Sequence, residues 1–105
     1  MPVTTIGGQE VHVDEEGFLT EYDEWSEDLA KELASNIGIE ELNDDHWKVI
    51  TFLRSDYQDQ GETATLRRVT AVGGIPTKSL FQLFPKKPAR KMSYVSGLPK
   101  PAGCI

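Results

Sequence analysis

The chain has 105 residues, enough for one domain with a modest core and too few for two. Hydrophobic residues make up 38% and charged residues 27% of it, which is typical of a soluble globular domain and excludes a mainly disordered chain. Its apolar runs span only a few residues, so we expect no membrane span. The first residues lack the basic start and apolar stretch of a secretory signal, so we expect no leader.

The inventory of chemically active residues is small. The chain has one cysteine and two histidines, so we expect no internal disulfide and no metal site. It has no glycine-rich phosphate loop, and we expect no bound cofactor. A free thiol is most stable in a reducing compartment, which predicts a cytoplasmic protein.

Charge is distributed unevenly along the chain. Residues 1–62 hold all 17 acidic side chains and only three basic ones, a net charge of −14. Residues 63–105 hold eight basic side chains and no acidic one, a net charge of +8. The two halves could attract each other within the fold, or the basic half could form a surface for an acidic partner or a nucleic acid.

The first predicted element is a β-hairpin. Val11 and Val13 alternate with polar residues, and an acidic turn ending at Gly17 leads to Phe18. Gly17 can adopt the positive φ that a tight turn needs. The pattern predicts a short hairpin over about residues 8–20.

Two well-marked helices follow. Ser26 is a good N-cap for the first, acidic residues occupy its first turn, and Gly38 predicts its end. Asn43 or Asp44 caps the second helix, which Gly61 ends.

Three shorter helical segments are predicted in the basic half. One begins at Thr63 or Thr65, and the next has Pro76 in its first turn and stops before Pro85. The stretch 92–97 predicts a last helical turn or two.

The closing stretch reads GLPKPAGCI and cannot be helical through Pro99 and Pro101. We expect it to be extended and polyproline-like. The chain then divides into a helical domain, 1–96, and a C-terminal arm, 97–105. The predicted fold class is mainly α (α+β), a small helical bundle with a short N-terminal β-hairpin and an extended C-terminal arm.

The arm carries the only cysteine, Cys104. Seven residue steps separate Gly97 from Cys104, a reach of roughly 20–25 Å when extended. The prolines stiffen the arm, while Gly97 and Gly103 offer a hinge at its base and freedom beside the thiol. This arrangement suits a thiol that enters a partner's active site; a merely tolerated tail cysteine remains the alternative.

Several motifs together resemble the DsrC/TusE family, also called the dissimilatory sulfite reductase gamma subunit family, of sulfur-carrier proteins. The motifs are the closing GLPKPAGCI, the DEEGFL turn, the tryptophan before the first helix, DHWKVITFLR and LFQLFP. They cover essentially the whole chain in the family's order. The resemblance implies a small helical domain with an N-terminal hairpin and a mobile C-terminal arm.

The resemblance also implies a function. The family's penultimate cysteine, which falls on Cys104, carries sulfur as a persulfide between partner proteins, so the chain is expected to be a carrier more than a stand-alone enzyme. In two-cysteine members a second cysteine lies at the position of Ser93, so this chain resembles the single-cysteine, TusE-like branch. The residues matching the arm motif, assigned to arm geometry and docking, are Gly97, Pro99, Lys100, Pro101 and Gly103.

The implied partners are a sulfur donor and a sulfur acceptor. The donor would be a TusBCD/DsrEFH-like complex, and the acceptor a thiouridylase-like enzyme that makes 2-thiouridine in tRNA. The alternative is a DsrC-like partner or regulator of a dissimilatory sulfite reductase or sulfur-oxidation system. Because no second cysteine is present, mild oxidation is expected to link two chains through Cys104.

A second alternative is a DNA-binding protein. Residues 63–84 have the outline of a helix-turn-helix in a stretch with only positive charge. The sequence pI of about 4.8 and few candidate base-contacting side chains weaken it, so direct nucleic-acid binding is not expected.

Supporting residues are harder to assign. Arg54, Arg67 and Arg68 could offer positive charge to a thiolate or persulfide, or could be ordinary solvated or ion-paired arginines. The larger aromatic side chains are expected in the core; they are Trp25, Trp47, Phe52, Phe81 and Phe84.

Overall fold

A computed structural model describes residues 3–99 of the chain. Within this range, five α-helices and one two-stranded antiparallel sheet confirm the predicted class, mainly α with an N-terminal hairpin. Within residues 3–99, no helix has the length and apolar character needed to cross a membrane. The elements are β1 (Val3–Ile6), β2 (Gln9–His12), a 3₁₀ turn (Tyr22–Glu24), α1 (Glu27–Asn36), α2 (Asp44–Gln60), α3 (Leu66–Ala71), α4 (Thr77–Leu83) and α5 (Pro88–Val95).

The hairpin lies closer to the N-terminus than predicted. Strands β1 and β2 pair over residues 3–12, and the turn between them is Gly7–Gly8, with φ of 59° and 83°. Two consecutive positive φ angles give the tight two-residue turn that matches strand twist. The predicted turn before Gly17 does form, and a bridge between Val13 and Leu19 closes it together with backbone hydrogen bonds from Asp14 N to Phe18 O and from Thr20 N to His12 O. The predicted hairpin over about residues 8–20 is therefore present only as this bridged turn, whereas the two-stranded sheet pairs residues 3–12.

Side-chain caps define the first three helices. Ser26 Oγ accepts a hydrogen bond from Leu29 N at 3.1 Å, as predicted for α1. The N-cap of α2 is Asn43, which forms a reciprocal capping box with His46. The N-cap of α3 is Thr65, one of the two positions predicted.

Helix α5 is longer than predicted. It begins at Pro88, in the first helical position, where the missing N–H costs nothing. Lys86 and Lys87 precede it in the left-handed region, with φ of 58° and 50°. Such a conformation costs about 1–2 kcal/mol per non-glycine residue. Two lysines give no sequence signal for this reversal, so the prediction placed only the last turns, 92–97.

The core is built around α5, which packs against both α1 and α2. The fully buried side chains of this core include Met92 on α5, Phe84 before that helix and Leu98 after it. Trp25 and Tyr94 contact both this cluster and a smaller one under the hairpin. Trp47 and Phe52 also pack against the core as expected, whereas Phe81 does not belong to it, because it is 51% exposed.

Ion pairs join the acidic and basic halves of the chain. Arg68 pairs with Asp56, and Arg90 pairs with Glu16. Part of the charge asymmetry is therefore used inside the fold.

Glu24 holds the hairpin to the 3₁₀ turn through its carboxylate and through its backbone carbonyl, which accepts a hydrogen bond from Gln9 Nε2 at 2.9 Å. Glu24 accepts a hydrogen bond from His12 N at 2.7 Å, and its other oxygen lies 2.8 Å from His12 Nδ1. The hydrogen bonds from the His12 backbone and ring lower the pKa of Glu24 below its ordinary value. This contact fixes the chain immediately before Trp25, which contributes to the site described next.

Candidate functional site

Some of the predicted site residues lie within the described range, residues 3–99, and the others lie outside it. Cys104, Lys100, Pro101 and Gly103 lie outside the described residues. The arm residues within it, Gly97 and Pro99, follow directly after α5. The described residues that lead into the cysteine-bearing segment are 95–99, which we call the arm base.

Trp25 holds the first part of the arm base. Its indole Nε1 donates a hydrogen bond to Val95 O at 2.9 Å, and its ring packs on Gly97. Gly97 is buried with φ of 70°, and a Cβ there would lie 2.4 Å from Trp25 Cδ1. Leu98 follows, fully buried, with its N–H bonded to Ser93 O at 3.1 Å. Gly97 is thus a packed turn residue, and its predicted role as a hinge stays a prediction.

Arg54 fastens the same segment from α2. Its Nη1 donates to Ser96 O at 2.9 Å, and its Nη2 donates to Tyr22 O at 3.0 Å. The guanidinium carbon lies 3.9 Å from the Tyr22 ring centroid and 4.1 Å from the Trp25 ring. Burial, the largest cause, lowers the pKa of Arg54 below its ordinary value, while Tyr22 and Asp23 oppose the shift. A guanidinium titrates so far above neutrality that Arg54 remains a cation here.

Thr63 contacts the last described residue. Its Oγ1 donates a hydrogen bond to Pro99 O at 2.7 Å, and Thr63 itself is 6% exposed. The loop that carries Thr63 joins α2 to α3, and a bidentate ion pair links these two helices. Arg68 Nε and Nη2 donate to the two carboxylate oxygens of the buried Asp56, at 2.8 and 2.7 Å. These hydrogen bonds raise the pKa of Arg68 above its ordinary value.

The three predicted arginines therefore separate in space. Arg54 contacts the arm base directly, and Arg68 acts on it only through the loop of Thr63. Arg67 is exposed, and within residues 3–99 its side chain has no hydrogen bond or ion pair. Their predicted support of a thiolate stays a prediction. Over the same range, no cluster of three potential metal ligands is present.

Ser93 lies in the interior of α5. It is fully buried, and its Oγ donates to Ala89 O at 2.8 Å within the helix. This is the position at which the resemblance places a second cysteine in two-cysteine members. A serine hydroxyl cannot form a disulfide or a persulfide, so any thiol chemistry of this chain depends on Cys104.

Sequence reasoning missed the role of the residues that hold the arm base. Trp25 and Arg54 were identified, but as a core residue and as a possible charge for the thiol. Thr63 was identified only as a possible helix cap. The hydrogen-bond partners lie 36 to 70 positions apart along the chain, and no local sequence pattern indicates pairs so distant.

Fold and site together define a class: a small helical domain that fixes the base of a short, cysteine-bearing C-terminal segment. Residues 5–105 match the family model described as DsrC like protein. The chain belongs to this family, which confirms the resemblance.

Relatives carry two kinds of name. The chain is 33% identical to the dissimilatory-type sulfite reductase gamma subunit of Nitratidesulfovibrio vulgaris (strain Hildenborough), over 100% of both chains. It is 37% identical to the sulfurtransferase TusE of Salmonella paratyphi A, over 93% of this chain and 95% of that protein. The crystal structure of the oxidized gamma-subunit of the dissimilatory sulfite reductase (DsrC) from Archaeoglobus fulgidus superposes with a TM-score of 0.76 at 32% identity, covering 99% of this chain and 100% of that one.

The helix-turn-helix outline exists as α3 and α4, linked by a 2.9 Å hydrogen bond between the hydroxyls of Thr70 and Thr77. None of these relatives is named as a DNA-binding protein. Nothing in the comparisons supports that alternative.

Proposed function

We propose that this protein is a sulfur carrier that holds a persulfide on Cys104 and passes its outer sulfur between partner proteins. The observation that carries the proposal is the family match, which extends to residue 105 and includes relatives named sulfurtransferase. The chain has one thiol, and the residues that lead into the segment bearing it are packed on the body.

The chemistry needs no external oxidant. The Cys104 thiolate attacks the outer sulfur of a donor persulfide, the S–S bond of the donor breaks, and the donor leaves as a thiolate. The new S–S bond is on Cys104. An acceptor thiolate then attacks that outer sulfur and returns Cys104 to a thiolate. One sulfur atom moves in each step, and the total oxidation state is unchanged.

The arm base limits the reach of this thiol. Only five residue steps separate Pro99 from Cys104, at most roughly 16–18 Å when extended. That is shorter than the reach expected for an arm hinged at Gly97. A partner must therefore present its reacting sulfur within about this distance of Pro99.

We assign the chain to the single-thiol, TusE-like type of relay in the reducing cytoplasm. With serine at position 93, donor and acceptor must supply the other sulfur atoms. A TusBCD/DsrEFH-like donor and a tRNA thiouridylase-like acceptor fit this requirement. A sulfite reductase-like acceptor is the second candidate, because a relative of equal length is named as a sulfite reductase gamma subunit.

Loading of Cys104 tests the carrier chemistry. After incubation with a persulfide donor, intact-mass analysis should show about 32 Da added to the chain, one sulfur atom, removable by reductant. Cys104→Ser should gain nothing under the same conditions. An unmodified wild-type thiol beside a fully loaded donor would contradict the proposal.

Deletion of the gene in its host distinguishes the acceptors. The thiouridylase route predicts loss of 2-thiouridine from tRNA, restored by the wild-type gene and not by Cys104→Ser. Normal 2-thiouridine in the deletion strain would exclude this route and leave the sulfite reductase-like acceptor.

A further inference from the structure

We propose that Thr63 is a positioning residue that fixes Pro99, the residue from which the chain continues toward Cys104. The inference rests on the proposed function, since it concerns how Cys104 is presented to partners. The structural evidence for it is the geometry of the arm base.

Pro99 has only one backbone group that can form a hydrogen bond. Proline has no N–H, so its carbonyl is its sole means of attachment through the backbone. That carbonyl accepts the Thr63 Oγ1 hydrogen bond at 2.7 Å. Pro99 itself is exposed, whereas Leu98 before it is fully buried. The Thr63 bond thus lies where the chain passes from the core to the surface.

The donor is held rigidly. Thr63 is buried, its neighbour Ala64 is 2% exposed, and Thr65 caps α3. The Asp56–Arg68 ion pair joins the two helices that flank this loop. A hydroxyl on such a loop is preorganised, so the bond can orient Pro99 without ordering the donor first.

The inference predicts a specific effect of removing one hydroxyl. A single net hydrogen bond corresponds to a change of about five- to tenfold in the equilibrium between attached and detached Pro99. Thr63→Val removes the donor and keeps the shape of the side chain. Thr63→Ser keeps the donor and should retain the attachment.

A nitroxide spin label next to Pro99 reports this equilibrium. The label is placed by Lys100→Cys in the full chain with Cys104→Ser, and its electron paramagnetic resonance spectrum is recorded far below the unfolding temperature. Thr63→Val should increase the ratio of fast to slow label by about five- to tenfold. Thr63→Ser and the control Thr51→Val, at an exposed position on α2, should leave the spectrum unchanged.

Identical spectra for Thr63→Val and the parent chain would overturn the inference, as would an equal effect of Thr51→Val. Sulfur loading of Cys104 from cysteine persulfide, measured on Thr63→Val with its native thiol, keeps the two proposals apart. A small donor reaches the thiol whether Pro99 is attached or detached, so loading should match wild type. Loss of loading in both chains would contradict the carrier function and not the role of Thr63.

Discussion

Gly97→Ala should destabilise the fold by about 3 kcal/mol or more, although it adds one methyl group. The left-handed backbone at φ of 70° accounts for about 1–2 kcal/mol of this loss. The rest comes from packing, because the new Cβ would lie 2.4 Å from Trp25 Cδ1 and 2.9 Å from Trp25 Cβ. Trp25 must then move, which stretches its hydrogen bond to Val95. Urea unfolding followed by tryptophan fluorescence measures the loss.

Gly61→Ala is the matched control. Gly61 has nearly the same φ, 75°, but no heavy atom lies within 4 Å of its ideal Cβ position. It should lose only the backbone part, about 1–2 kcal/mol. Equal losses for the two alanine variants would show that contact with Trp25 does not hold the arm base.

Arg54→Met should destabilise the fold by about 2–4 kcal/mol, because two carbonyls lose a charged donor while the side-chain volume is nearly kept. The carbonyls belong to Ser96, in the arm base, and to Tyr22, in the 3₁₀ turn. The stacking of the guanidinium on Tyr22 and Trp25 is also lost. Urea unfolding at neutral pH measures the difference.

Arg67→Met serves as the comparison for charge alone. Arg67 is exposed on α3, so its loss should change stability by less than about 0.5 kcal/mol. If both arginine variants have the free energy of unfolding of the wild type, the contacts of Arg54 do not stabilise the arm base.

Local signals made the first helices predictable. Ser26, Asn43 and Gly61 act within one turn of the helix ends that they define. The hairpin was misplaced because the alternation at Val11 and Val13 fits a partner strand on either side. Strand β2 pairs with β1, because the two glycines before β2 form a tighter turn than the acidic segment after it.

The functional site was predictable in part. The lone cysteine and the prolines around it are visible in the letters of the chain, and the family resemblance followed from them. A glycine at position 97 is visible too, but the tryptophan packed on it is 72 positions away, so the residue was interpreted as a hinge. The sequence gives no sign that Arg54, Arg67 and Arg68 differ. The fold shows that Arg54 is half-buried against the arm base, that Arg68 forms an ion pair and that Arg67 is solvated.

The packed arm base has a consequence for sulfur transfer. The body forms a hydrogen bond with a backbone group of four arm-base residues: Val95, Ser96, Leu98 and Pro99. The arm base is therefore attached to the body as far as Pro99. A short tip on a fixed base loses less conformational entropy on entering a partner than a long free tail would. Specificity can then come from the surface around Thr63 as well as from the tip.

The state of Cys104 inside growing cells tests the carrier role most directly. Cells are quenched in acid with an alkylating agent, and the intact mass of the purified protein is measured. A relay predicts a fraction of chains with one sulfur between Cys104 and the alkyl group, absent from Cys104→Ser. Chains found only as alkylated thiol, while the cell is actively transferring sulfur, would contradict the role proposed for this protein.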